Sequence, residues 1–101
     1  MKIRVQTPQD LGLLLRAARL SNDLRQEDMA GLCNVGIVFA RDVEHGKETA
    51  QIGLVIHLLT QMGIHLYADV LEETMPELEK LKAKGLKPLK PRRPSKKELL
   101  G

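Results

Sequence analysis

Aromatic side chains are nearly missing from this chain: there is no tryptophan, and Phe39 and Tyr67 are the only aromatics. Without stacking platforms the surfaces that single-stranded RNA binders use are excluded, and the core must be aliphatic. Cysteine is as scarce. Cys33 stands alone, which excludes an internal disulfide and any multi-cysteine metal site and fits a reducing compartment. A single cysteine among helical core positions reads as a small buried hydrophobe. No stretch approaches the roughly 20 apolar residues that span a bilayer, and the opening "MKIRVQTPQD" lacks the apolar centre of a signal peptide. A cytoplasmic protein with no membrane association is expected. His45, His57 and His65 fall in different elements without metal-ligand spacing, and no nucleophile elbow, phosphate loop or carboxylate pair occurs. The expectation is therefore no metal, no cofactor and no enzyme.

What the chain does have is room for one small domain and a tail, in 101 residues. A domain this small buries limited surface on its own, so a second copy is expected to complete it. The net charge of +3 hides a division. Residues 1–79 carry seven Lys/Arg against twelve Asp/Glu, a net −5, whereas residues 80–101 carry nine against one, a net +8. Non-specific affinity for a duplex comes from cations meeting phosphates, so the acidic body handicaps that chemistry and the basic tail can remedy it.

Along the chain, "MKIRVQ" alternates, with Ile3 and Val5 on one side, and reads as a short half-buried strand. Thr7, Pro8 and Asp10 form a capping-box start for a first helix ending near Asn22. Its inward face is Leu11, Leu14, Leu15 and Ala18, with Arg16 and Arg19 pointing away. A second helix from about Gln26 to Cys33 offers Met29, Ala30, Leu32 and Cys33 to the core, and Asn34 suits the left-handed turn after it. The third helix, Gly36 to Glu44, carries Ala40 and Val43 inward and stops at Gly46.

Thr49 is expected to cap a fourth helix running to Met62, with Ile52, Val55, Ile56 and Leu59 inward. Leu54 and Leu58 form a second apolar line on its flank, suited to packing on another subunit. "IHLYADV" alternates again, with Ile64, Leu66, Ala68 and Val70 on one side, as a second strand. Two isolated short strands leave unpaired edges, which pairing with each other and across a two-fold axis would satisfy. Residues 1–71 thus read as one domain and 72–101 as a basic, proline-containing tail. Within that tail, Thr74 and Glu77 have capping-box spacing for a short helix anchored by Leu78 and Leu81, and "LKPLKPRRPSKKELLG" is expected to be extended or disordered.

Gln26 opening the second helix, Val35 after the turn, Ala40 and Val43 in the third helix, "EHGK" at 44–47 and "TAQIGLVIHLLTQMGIHL" after it together resemble the XRE/Cro-type helix-turn-helix family, most closely HipB-type antitoxins. The match spans about residues 7–70. The resemblance implies a mainly α, lambda-repressor-like domain of four to five helices whose short terminal strands make an intersubunit β-sheet in a homodimer. It further implies a nucleoid-associated transcriptional autorepressor that binds double-stranded operator DNA and associates with a HipA-like kinase toxin. Gln26 would then donate to a phosphate, positions 36, 37, 38, 41 and 42 would face the major groove, and His45 and Lys47 would lie near the flanking backbone. Ile3, Val5, Leu54, Leu58, Ile64, Leu66 and Ala68 would form the dimer interface.

The chain departs from that pattern in the groove-facing stretch. Gly36, Ile37 and Val38 stand where such modules hold Ser or Thr followed by Gln, Arg or Lys. Either Ile37 and Val38 meet thymine methyl groups while Arg41 pairs bidentately with guanine, or they are ordinary partly exposed apolar residues or a patch covered by a partner protein. Arg25 replaces a Thr cap and adds a cation near the expected phosphate path. Asp42 either lies on a simple solvated face or, near DNA, repels phosphate unless it accepts from a cytosine amino group or pairs with Arg41 or a neighbour. The basic tail is open to three readings: a solvated end, a phosphate contact, or a docking segment for an acidic partner surface. The alternative to a repressor and antitoxin is a protein-interaction module, or a general regulator with no toxin partner.

Overall fold

A computed structural model describes residues 1–85. Helix α1 spans Pro8–Ser21 because its start is closed on both sides. The Asp10 N–H donates to the Thr7 hydroxyl at 3.2 Å, and the Asp10 carboxylate accepts from the N–H groups of Gln6 and Thr7 at 2.8 and 3.1 Å. Those donors, Gln6 foremost, hold the Asp10 carboxyl below its ordinary value. Helix α2, Gln26–Cys33, ends where Asn34 turns left-handed at φ 56°. Helix α3, Ile37–Glu44, starts from Gly36 and is followed by Gly46 at φ +75°. Helix α4 spans Ile52–Gln61.

These four helices belong to one unit, Met1–Tyr67. Its core is Leu15 from α1, Met29, Ala30 and Cys33 from α2, Ala40 and Val43 from α3, and Val55, Leu58 and Leu59 from α4. Burial also pushes the Cys33 thiol above its ordinary value, as for an inert core cysteine. Glycines set the closest approach. A Cβ on Gly12 would sit 2.6 Å from the Val43 carbonyl oxygen, so α1 meets the last turn of α3 backbone to backbone. A Cβ on Gly46 would lie 2.8 Å from the Cα of Gln9, besides being disfavoured by the positive φ. From Ala68 a second unit begins, in which a 3₁₀ turn at Glu72–Thr74 leads into α5, Met75–Lys84, with no residue buried.

Several expectations need correction. No strand forms among the described residues: 1–6 and 64–70 have no ladder partner there, and a strand requires one. Arg19 does not point away, because its guanidinium turns inward to a buried carboxylate. Leu32 is 70% exposed rather than in the core. On α4 the inward face is Val55, Leu58 and Leu59, and Ile52 and Ile56 are exposed. Leu58 has no accessible surface and so has none to offer a second subunit. Thr49 lies in the Lys47–Ala50 turn, and α4 starts from Gln51 without a side-chain cap. Thr74 likewise makes no side-chain cap for α5. His57 is exposed, and its Nε2 donates to the Cys33 carbonyl at 3.0 Å, where α2 ends. The expectation for residues 86–101 lies outside the described residues.

Substitutions of two helical glycines should move stability in opposite directions. Gly12→Ala is expected to lower stability by about 1–3 kcal/mol through overpacking against α3. Gly31→Ala, with nothing within 4 Å of the added methyl, should raise it by about 0.5–1 kcal/mol through helix propensity. Urea denaturation read by circular dichroism checks both, and equal effects would remove the close contact between α1 and α3 from the account.

Candidate nucleic-acid interface

The site is built outward from one buried ion pair. Glu44, at the end of α3, has a side chain only 3% exposed and faces Arg19 of α1, itself 11% exposed. The Arg19 Nε and Nη2 donate to the two Glu44 oxygens at 2.7 and 3.1 Å, and Nη1 donates to the Leu24 carbonyl at 2.9 Å. Gln26, the first residue of α2, donates from Nε2 to Glu44 Oε1 at 3.3 Å. The carboxylate therefore ties together α1, the loop after it, α2 and α3. It also fixes the rotation of α3, since Ala40 and Val43 face the core on the same side.

With that side committed, α3 presents the rest to solvent. Ile37 and Val38 are 47% and 55% exposed. Gly36, Arg41 and His45 are exposed and Asp42 is half-buried. Among the described residues Arg41 forms no ion pair, so its guanidinium is uncommitted. Lys47 reaches back to Asp42, with Nζ to Oδ2 at 3.4 Å, which answers how Asp42 is accommodated. Arg25 lies at the start of α2, 2.8 Å from Glu27 and 3.2 Å from Asp28, with all three side chains substantially exposed. The Arg25 guanidinium holds the Asp28 carboxyl below its ordinary value, helped by the Arg25 N–H, which donates to it at 3.0 Å. The start of α2 thus has an acidic cap in place of the missing Thr.

The structure brings Gln26 against Glu44 at the end of α3, leaves Gly36, Ile37, Val38, Arg41 and His45 exposed and Asp42 half-buried along α3 and its ends with Lys47 just after it, and places Arg25 exposed at the start of α2. Gln26 is partly engaged by Glu44, a tie that the sequence reading missed along with Arg19, Glu27 and Asp28. The signal for Glu44 was present: it sits four residues after Ala40, on the inward stripe, where a carboxylate demands a cation. Of the expected interface residues, Ile3, Val5, Leu54, Leu66 and Ala68 are exposed, and Ile64 is half-buried. Among the described residues no group of three or more His, Cys, Asp or Glu is placed to hold a metal, and no helix is long and apolar enough to cross a membrane.

No protein-family model matches the chain. Over 63 residues it is 46% identical to the uncharacterized HTH-type transcriptional regulator y4mF of Sinorhizobium fredii (strain NBRC 101917 / NGR234), a match covering 62% of this chain and 83% of that one. Two solved structures share the fold, one described as "MDT Protein" and the other as "Structure of HipA-HipB-O2-O3 complex". Each aligns with a TM-score of 0.62 at 11% identity, covering 70% of this chain and 100% of the matched one.

Removing one partner of the buried pair leaves the other charge without compensation. Glu44→Ala is expected to lower stability by about 3–5 kcal/mol, read as a fall in the urea midpoint, and a loss below about 1 kcal/mol would mean that the pair does not hold the helices. Asp28 supplies a pH test. Its folded pKa lies below the unfolded one, so its contribution is complete above the ordinary Asp value near about 4 and is lost as pH falls through the folded value. Asp28→Asn should accordingly flatten part of the acid-side fall in melting temperature between about pH 5 and pH 2, while an unchanged profile would contradict the cap.

Proposed function

We propose that this chain, which belongs to the HTH-type transcriptional regulators and shares the fold of a structure described as a HipA–HipB complex, is a sequence-specific repressor of its own operon. In this reading it is also the antitoxin of a HipBA-like type II toxin–antitoxin system. The observation that carries the DNA-binding part is Arg41: an exposed guanidinium with no ion pair among the described residues, on a short helix whose opposite face is locked by the core and by Glu44. It pairs with guanine, Ile37 and Val38 meet thymine methyls, and Arg25, Gln26, His45 and Lys47 contact backbone. The toxin, a HipA-like kinase, is supported by the fold shared with a structure whose description names a HipA–HipB complex.

The regulator acts as a homodimer, so that two α3 helices enter successive major grooves one turn apart. The extended segments holding Ile3 and Val5, and Ile64, Leu66 and Ala68, supply the intersubunit sheet, with Leu54 beside it. What supports this is that neither segment has a ladder partner among the described residues. Residues 1–71 are the binding and dimerisation domain and 72–101 an accessory tail, in a cytoplasmic, nucleoid-associated protein. The exposed Ile37 and Val38 favour a second reading in which that surface, or the basic tail, holds a protein partner instead of DNA.

A mobility-shift assay on the DNA upstream of its own gene tests the first reading. Wild type should form a complex at moderate salt, and Arg41→Ala should bind at least about 100-fold more weakly, since each of the two subunits loses a bidentate base contact of about 1–3 kcal/mol. Equal binding by the two proteins would overturn the assignment of α3. Co-purification with the product of the neighbouring gene, lost on deleting residues 72–101, would instead direct attention to the partner-protein reading.

A further inference from the structure

The cations flanking α3 are not free. Lys47 is paired with Asp42 at 3.4 Å, and Arg25 with Glu27 and Asp28 at 2.8 and 3.2 Å. All of these groups are open enough for an incoming phosphate to compete with the carboxylates. Arg41 has no such partner among the described residues. The cations that would read phosphate are thus neutralised, and the one that would read a base is not.

We propose that Asp42 and Glu27 are specificity-determining residues, which occupy the phosphate-facing cations and thereby keep duplexes of arbitrary sequence weakly bound. The proposal rests on the DNA-binding reading above. Binding to any duplex draws its free energy from cations that displace counterions on phosphates. A cation already held by a carboxylate must give up that partner first, and the freed carboxylate then lies close to a phosphate of like charge. Non-specific affinity falls on both counts. A base contact made by Arg41 suffers neither loss, so the ratio of specific to non-specific binding rises. The body's acidity is in this view part of the recognition chemistry.

The full-length protein can be titrated against a labelled random-sequence duplex of about three helical turns, read by fluorescence anisotropy across a salt series. Wild type is compared with Glu27→Gln, Asp42→Asn, the double variant and Glu48→Gln, whose acid is exposed but has no ion pair among the described residues. Asp28 is left intact because it caps α2. Asp42→Asn should bind about three- to tenfold more tightly and steepen the slope of log K against log salt by about one for the freed Lys47, whereas Glu27→Gln, which leaves Arg25 held by Asp28, should tighten binding with a smaller change of slope. Glu48→Gln should leave the slope unchanged. Wild-type affinity in the first two variants, or the same steepening in Glu48→Gln, overturns the proposal while leaving DNA binding intact. No binding by wild type or any variant even at low salt overturns the DNA-binding reading, and this proposal with it.

Discussion

A carboxylate with 3% of its surface exposed is tolerable only with a full set of donors, and Glu44 finds them in Arg19 and Gln26. That requirement organises the domain. Stripped of a partner, a buried charge costs several kcal/mol, so the helices holding the donors cannot drift from α3 without a steep loss. The geometry is also specific. Arg19 meets both oxygens with a planar fork, and its remaining nitrogen closes the loop at Leu24. Shape does the rest, because α1 approaches α3 at Gly12, where no side chain fits between the backbones. A polar latch and a steric notch together leave α3 one seat.

The consequence reaches the outer surface. A helix of eight residues has little intrinsic stability, and most of its order comes from what it packs against. Here its last turn is held by charge and its middle by Ala40 and Val43, so Ile37, Val38 and Arg41 project from a fixed rod. Gln26 joins the two sides of the design. It belongs to the latch through Glu44 and stands at the start of α2, beside Arg25. Its amide has a defined position before any ligand arrives, which reduces the ordering cost of a contact made there.

Most of this architecture was legible in the sequence, because local signals state it directly. Thr7, Pro8 and Asp10 announce the start of α1, Asn34 the end of α2, and Gly46 the end of α3, each through backbone chemistry that needs no distant partner. The errors lie where a distant partner decides. Arg19 read as solvated because charged residues normally are, and only the approach of α3 shows that it is needed inside. Leu58 and Ile56 exchange roles on α4, since an apolar helix such as "IGLVIHLLT" offers several stripes, and the neighbouring helices select one. The pairings of Lys47 with Asp42 and of Arg25 with Glu27 were equally hidden, since spacing suggests such contacts without choosing among them. The alternating segments read as strands because alternation reports a preference for an extended backbone, whereas a strand is a pairing.

The sparse supply of free cations bears on how the proposed regulator could hold DNA at all. On the α3 surface only Arg41 is uncommitted among the described residues, so one subunit brings few phosphate contacts without first breaking its own ion pairs. A single short helix with one strong base contact gains about 1–3 kcal/mol of discrimination there, well short of a specific complex. Repeating the contact by a two-fold axis multiplies it, because the second helix docks at the high effective concentration set by the first. An acidic, self-paired surface is therefore compatible with DNA recognition only in a molecule that uses it twice, which makes the extended segments flanking the four helices as important to the proposed function as α3 itself.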